Sequence, residues 1–352
     1  MKKILFLYTE LAGYFEACIR ELNSRDVEIH IIRWPVNKEA PFLLTFPDEV
    51  FIYDRSNYDN NELLALVQKV EPDVIISSGW IDKGYMKVCK AYYGKIPVVL
   101  TMDNQWFGAL KQYVARLAAP YTILKTFSIA WVPGQPQNEY ALKLGFKQEC
   151  IKHGFYSADV DRFNVVAERR FNNGNIPKRF LYVGRYIPQK GIDKLFSAFI
   201  ELVDEGYDDW ELWCLGTGDM YDERPLHENI RHFGFVQPVE MDKYLEQTGV
   251  FILPSDFEPW GVVVHEMAAA GFPLLVSSAV GSVSAFVEEG VNGFIFPKGD
   301  KEKLKDAMRK IIKLNEKELL FMAKESNKKG KSWNPEKWAD EVYEFIDQKY
   351  IK

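Results

Sequence analysis

Val183-Gly184-Arg185-Tyr186-Ile187-Pro188-Gln189-Lys190-Gly191 joins an apolar run over 179–183 to a helical pattern over 191–205. A buried-type strand that passes at once into a helix is half of a parallel β-α unit, and Gly184 allows the tight turn between them. The same alternation continues in both directions. Downstream, strands are expected at 211–215, 230–233, 250–253, 273–276 and 294–296, with helices at 239–247 and 262–270 and a helical last fifty residues rich in Lys and Glu. Upstream, strands at 4–8, 27–32, 50–53, 74–77, 98–101 and 129–133 alternate with helices at 15–22, 61–70, 83–92, 105–125 and 137–144. Val/Ile/Leu runs separated by helices mark parallel sheets covered on both faces. Between the halves, 168–178 is polar, contains Asn172-Asn173-Gly174-Asn175 and Pro177, and reads as a linker. The expected architecture is α/β: two doubly wound Rossmann-like domains at 1–165 and 179–333, a linker at 166–178, and a terminal helix at 334–352.

Length and composition agree with this. The 352 residues allow two domains at roughly 150 residues each. A 47% hydrophobic and 27% charged chain excludes disorder. Fifty acidic against 44 basic residues give a net charge of −6, so no nucleic-acid partner is expected. Cys18, Cys89, Cys150 and Cys214 are far apart and the five histidines are scattered, so neither disulfides nor a metal site are expected. Met1 to Tyr8 superficially resembles a signal peptide, but its apolar run is short and Glu10 follows, so a first strand and a cytoplasmic location are expected. No run approaches the ~20 apolar residues of a membrane-spanning helix.

Four loops carry candidate chemistry. In the first, Arg185 and Lys190 place two cations at a helix entrance, suited to a diphosphate or simply to a solvated basic loop. The second is Pro254-Ser255-Asp256-Phe257-Glu258-Pro259-Trp260-Gly261-Val262-Val263-Val264-His265-Glu266. Here Gly261 opens the amides of Val262 and Val263 to a ligand, and Glu266 lies in an apolar helix where a carboxylate needs partners such as ribose hydroxyls. The alternative is a glutamate on a solvated polar stripe. The third, Gly216-Thr217-Gly218-Asp219, fits a backbone loop near a ligand or any sharp turn. In the fourth, Gly13 could admit a phosphate at the first helix or relieve crowding.

These motifs, G-R-x4-K-G, G-T-G-D, F-G-F-V, and E-P-W-G-V-V-V-H-E-M-A-A-A-G-F-P-L-L-V-S-S, together resemble the nucleotide-sugar domain of family 4 retaining glycosyltransferases of GT-B fold. The resemblance runs from about 179 to 299, includes Asn292-Gly293-Phe294, and extends loosely to His153-Gly154-Phe155 with Asp161 and Phe163. It implies two domains facing across a cleft, with the acceptor held by 1–165, the donor by 179–333, and the last helix crossing back to the first domain. It implies that Arg185 and Lys190 hold the donor diphosphate, that Glu258 meets the sugar and Glu266 the ribose, and that Gly184, Gly216, Gly261, Val262 and Val263 line the donor. Phe235 and Val236 fall where the family's backbone meets the base. It also implies retention of configuration by same-face attack assisted by the leaving phosphate, a UDP- or GDP-sugar donor, and no metal.

The sequence departs from the family in places. Ala12-Gly13 replaces a Gly-Gly pair, so only Gly13 carries over. Thr101-Met102-Asp103-Asn104 replaces a frequent histidine, and Asp103 either takes a catalytic place near donor or acceptor or caps a helix opening at Asn104–Gln105. From 83 to 147, nine cations face only Asp103 and Glu139 and are interleaved with Trp106, Phe107, Leu110, Tyr113, Val114, Leu117 and Tyr121. Such a stretch could touch an anionic membrane, which would suit a lipid-linked or growing polysaccharide acceptor and a place at the inner membrane face. Otherwise it is an amphipathic helix packed on its own sheet. The apolar stripe Trp338, Val342, Phe345, Ile346 and Tyr350 fits the crossing-back of the last helix, with a dimer contact as the alternative. The rival functions are a GT-B epimerase or hydrolase of nucleotide sugars and a non-catalytic nucleotide-sugar-binding partner. A nicotinamide dehydrogenase is excluded because 8–13 lacks G-x-G-x-x-G.

Overall fold

The computed structural model describes residues 1–35 and 44–347. The chain divides into two compact units, Met1–Ser157 with the segment from Pro335, and Ala158–Asn334.

The first unit holds seven strands: β1 (Lys2–Tyr8), β2 (Val27–Arg33), β3 (Phe51–Asp54), β4 (Val74–Ser78), β5 (Val98–Thr101), β6 (Ile129–Val132) and β7 (Ile151–His153). They form one parallel sheet in the order β3-β2-β1-β4-β5-β6-β7. Ile4 to Leu7 is buried without a break, as a central strand covered on both faces requires. Its helices are α1 (Gly13–Asn23), α2 (Asn60–Val70), α3 (Lys83–Tyr92), α4 (Leu110–Ala118) and α5 (Gln135–Leu144). A capping box between Asp59 and Glu62 starts α2, and the Asp82 carboxylate accepts from the amides of Gly84 and Tyr85 to start α3.

The second unit has a six-stranded sheet, β10-β9-β8-β11-β12-β13, from β8 (Arg179–Val183), β9 (Glu211–Leu215), β10 (Ile230–His232), β11 (Val250–Leu253), β12 (Leu274–Ser277) and β13 (Gly293–Phe296). Its helices are α6 (Val160–Asn173), α7 (Ile192–Asp204), α8 (Asp242–Leu245), α9 (Val262–Ala269), α10 (Val283–Phe286), α11 (Lys301–Ile312) and α12 (Glu316–Gly330). The final helix, α13 (Pro335–Asp347), returns to the first unit. There Trp338 packs among Phe6, Phe15 and Trp131 and donates to the Phe155 carbonyl at 2.9 Å. Tyr350 lies outside the described residues.

The expectations need four corrections. The expected linker at 166–178 is helical as far as Asn173: α6 buries Val160, Phe163, Val166, Ala167 and Arg170 at helical spacing beneath a charged exterior, and only 174–178 lies outside helix and strand. The second unit begins at Ala158 rather than at 179. The helix expected at 105–125 is shortened to α4, because Gly108 takes a left-handed φ of 70° before it and Pro120 lies in the 3-10 turn that follows. In place of a helix at 239–247 stand a 3-10 turn and the single turn α8. Finally, β7 adds a strand that its three residues were too few to announce.

Candidate functional site

In the second unit, the loops leaving β8, β9 and β10 are joined by backbone hydrogen bonds. Gly184 N–H donates to Leu215 O at 3.0 Å, Tyr186 N–H to Thr217 O at 2.9 Å, and Gly216 N–H to Gly234 O at 2.7 Å. Gly216 has φ 139°, and a Cβ there would run into the Gly184 carbonyl, so glycine is required for the loops to meet. The Tyr182 hydroxyl donates to Arg185 O at 2.8 Å, fixing the backbone while the Arg185 side chain reaches outward, exposed. A 3-10 turn, Pro188–Lys190, then leads to Gly191 at φ 62°, pressed against the Pro254 carbonyl. Asp256 N–H donates to Gln189 O at 2.9 Å, closing this loop onto the one after β11.

That closure brings Lys190 Nζ onto Glu258 Oε2, with only 17% and 14% of the two side chains exposed. Beside them Lys194 Nζ is 2.7 Å from Asp256 Oδ2. Ser255 Oγ and Asp256 Oδ1 are buried with no hydrogen-bond partner among the described residues. The segment after Glu258 is pinned by Gly281 N–H to Glu258 O (3.2 Å), Ser282 N–H to Trp260 O (2.9 Å) and Ser282 Oγ to Gly261 O (3.1 Å).

Gly261, at φ 84°, is the N-cap of α9 and offers no side chain to its amides, and the first turn has no acid. The N–H groups of Val262 and Val263 are therefore open at the positive end of the helix dipole, where an anion is favoured. One turn further, Glu266 is mostly enclosed. Burial pushes its carboxyl up to about 7; Arg162 opposes the shift and Asp159 adds to it. Val236 is half-buried and Phe235 exposed on the loop after β10.

The other two expected site residues lie in the first unit. Gly13 is the first residue of α1, whose N-cap Ala12 also provides no capping side chain. Asp103 caps no helix: α4 starts seven residues later, which overturns the capping alternative. Its Oδ2 accepts from the Tyr156 hydroxyl at 3.1 Å, and Tyr156 meets Tyr14 edge-on at 5.2 Å. Burial, reinforced by the Asp103 charge, pushes the phenols of Tyr14 and Tyr156 up and keeps them as neutral donors. Sequence reasoning missed these two tyrosines, because β7, the strand that precedes Tyr156, is itself too short to read. No group of three or more His, Cys, Asp or Glu side chains converges as a metal site among the described residues.

Helix α4 corrects the expectation that its apolar face packs on the sheet. It buries no side chain fully. Leu110, Val114 and Leu117, spaced as one helical stripe, are 80%, 59% and 77% exposed, and Tyr121 in the 3-10 turn that follows is 83% exposed, while Gln112, Ala115 and Ala118 turn inward.

Over 99% of this chain and 100% of the other, the structure is similar to Anabaena Alr3699/HepE, solved in complex with UDP and glucose, with a TM-score of 0.72 at 17% identity. The fold is GT-B. Residues 167–329 match the family described as Glycosyl transferases group 1, a span that holds every expected site residue of the second GT-B unit. Two relatives are uncharacterized glycosyltransferases of Methanocaldococcus jannaschii. One is 35% identical over 34% of this chain and 32% of its own length; the other is 27% identical over 82% and 81%. The chain thus spans about a third of the first and four fifths of the second. These matches support a glycosyltransferase of GT-B fold.

Proposed function

We propose that the chain is a retaining, hexosyltransferase-type glycosyltransferase that moves a sugar from a UDP- or GDP-sugar to an acceptor hydroxyl. The observation that carries this reading is the convergence of Lys190, Glu258 and the uncapped Val262 and Val263 amides on one side of the second sheet, within the family-matched span. In this reading Arg185, Lys190 and the α9 amides hold the diphosphate, and the glycine backbones of Gly13, Gly184, Gly216 and Gly261 give it room. Glu266 accepts from the ribose hydroxyls, the backbone of Phe235 and Val236 meets the base, and Asp103 meets the transferred sugar or the acceptor. The diphosphate competes for Lys190, freeing Glu258 to accept from the sugar's hydroxyls. The acceptor oxygen bonds to the anomeric carbon as the bond to the leaving phosphate oxygen breaks. The electron pair stays on the diphosphate, which takes the acceptor's proton on the same face. Cations and amides already in place where this charge develops supply most of the acceleration, and no metal is needed. Incubating the protein and EDTA with UDP- and GDP-sugars and a glycan acceptor, then reading products by NMR, tests the proposal. A glycoside of unchanged anomeric configuration is expected. An inverted glycoside, free sugar or an isomerised donor refutes it.

The acceptor in this reading is a growing or lipid-linked polysaccharide at the cytoplasmic face of a membrane, and the exposed stripe of α4 supports it. Lys111 and Arg116 flank that stripe, and no acid occurs between Asp103 and Glu139, an arrangement suited to anionic headgroups over acyl chains. The protein should float with phosphatidylglycerol vesicles and Leu117→Asp should not; equal behaviour of the two removes this part of the reading.

A further inference from the structure

His265 adjoins Glu266 in α9 and is fully buried. Its ring lies flat on Phe286, with centroids 4.0 Å apart and 12° between planes. Nδ1 accepts the Ala158 N–H at 3.1 Å. The proton therefore sits on Nε2, which donates to the carbonyls of Gly330 at 2.8 Å and Trp333 at 3.1 Å. Burial holds the imidazole down at about 4, so it stays neutral and keeps this tautomer.

The three backbone partners share a position in the chain. The polypeptide passes between the two units only at Ser157–Ala158 and at Asn334–Pro335. Ala158 is the first residue of the second unit, and Trp333 stands one residue before its last. An aliphatic or phenyl side chain could fill the same space. An imidazole adds an acceptor on one edge and a donor on the other, and here each edge holds a different crossing. The second hold is reinforced nearby: Gly330 lies so close to Ala268 and Ala269 that a Cβ would collide with their backbone, and Asn327 Nδ2 donates to Ala269 O.

We propose that His265 is a positioning residue that ties the α9 amides and Glu266 to the backbone of both crossings, so that a nucleoside diphosphate held on α9 stiffens the chain at 158 and at 330–333. The proposal rests on the donor-site reading and deepens it, because it names a consequence of occupancy beyond the site itself. If opening at a crossing must release the ligand, UDP at 100 times its dissociation constant slows exchange of the amides there by up to about 100-fold.

Hydrogen exchange followed by mass spectrometry, with and without saturating UDP or GDP, tests it on the full chain. In the wild type, peptides covering 262–266, 158 and 330–334 should all be protected. His265→Phe keeps the stack on Phe286 but loses all three hydrogen bonds, so nucleotide should still protect 262–266 while protection at both crossings falls below about twofold, well short of the linkage limit. Phe286→Leu, which keeps the hydrogen bonds, should retain the protection. If His265→Phe does not fold, His265→Gln takes its place, with protection expected to persist at 330–334, where its amide still donates, and to drop at 158. Protection of α9 without protection of the crossings in the wild type overturns the proposal, as does equal protection in His265→Phe. If α9 itself is unprotected by either nucleotide in the wild type, the donor-site reading has failed and this inference fails with it.

Discussion

Replacing Glu266 by Gln should make the ligand-free protein more stable, and increasingly so as pH rises. The folded carboxyl titrates at about 7 against an ordinary value of 4.5, because burial disfavours its charge. Below pH 4.5 both folded and unfolded states hold the proton, and Glu266 then contributes no pH-dependent difference. Between 4.5 and 7 the unfolded chain releases the proton while the folded chain keeps it, so wild-type stability falls with rising pH. Above 7 the full penalty is present. The gap corresponds to about 3 kcal/mol if enclosure were complete, and to about 1–3 kcal/mol with part of the side chain solvated. Glutamine fills the same volume without a charge. The second unit of Glu266→Gln should therefore melt about 3–10 °C above wild type at pH 8 and within error of it at pH 4.5. Urea unfolding across that range, monitored by tryptophan fluorescence, measures the difference directly. A difference that does not change with pH, or a variant less stable than wild type at pH 8, refutes the argument that the carboxylate is held against its own ionisation. The same substitution should weaken nucleotide binding about tenfold, because an amide is a poorer acceptor for ribose hydroxyls than a carboxylate.

Three further outcomes follow from the geometry. Lys190→Ala leaves the Glu258 carboxylate enclosed without its cation and should cost about 2–4 kcal/mol of stability, measured by denaturant titration; Glu258→Gln in the same background should recover part of it. Gly216→Ala forces a left-handed φ and a collision with the Gly184 carbonyl, and should destabilise the second unit by more than about 3 kcal/mol. Limited proteolysis should then cut within 158–334 while the first unit survives. Tyr156→Phe removes the hydrogen bond to Asp103 and should lower the transfer rate while leaving nucleotide affinity unchanged, a split read by comparing steady-state rates with nucleotide titrations.

The strands other than β7 were legible because their Val/Ile/Leu runs are continuous and each is bounded by a turn; β8, β9 and β11 match residue for residue. What the sequence hid has identifiable causes. Helix α6 reads as polar because its buried face is narrow and includes Arg170, whose guanidinium lies on the Phe272 ring and donates to the carbonyls of Leu245, Thr248 and Gly249. A buried cation held by backbone carbonyls leaves no apolar mark. The inverted packing of α4 could not be read from periodicity, which shows that a stripe exists but not which way it points. At the site, the family resemblance implied a shared location for Lys190, Glu258 and Gly261, and all three lie where strands give way to helices. The contact of Lys190 with Glu258 depends on Gly191 approaching Pro254, sixty-three positions away, and that tertiary fact has no local signature. The same holds for His265, whose importance lies in three backbone partners distant in sequence.

The account depends most directly on a nucleoside diphosphate binding where Lys190, Glu258 and the α9 amides meet. Isothermal titration of UDP and GDP into wild type, Lys190→Ala and the first-unit surface variant Leu117→Asp tests this. One of the two nucleotides should bind wild type and Leu117→Asp alike and bind Lys190→Ala at least about tenfold more weakly, the loss of one charge-assisted hydrogen bond. Failure of both nucleotides to bind, or equal affinity in Lys190→Ala, would contradict the account.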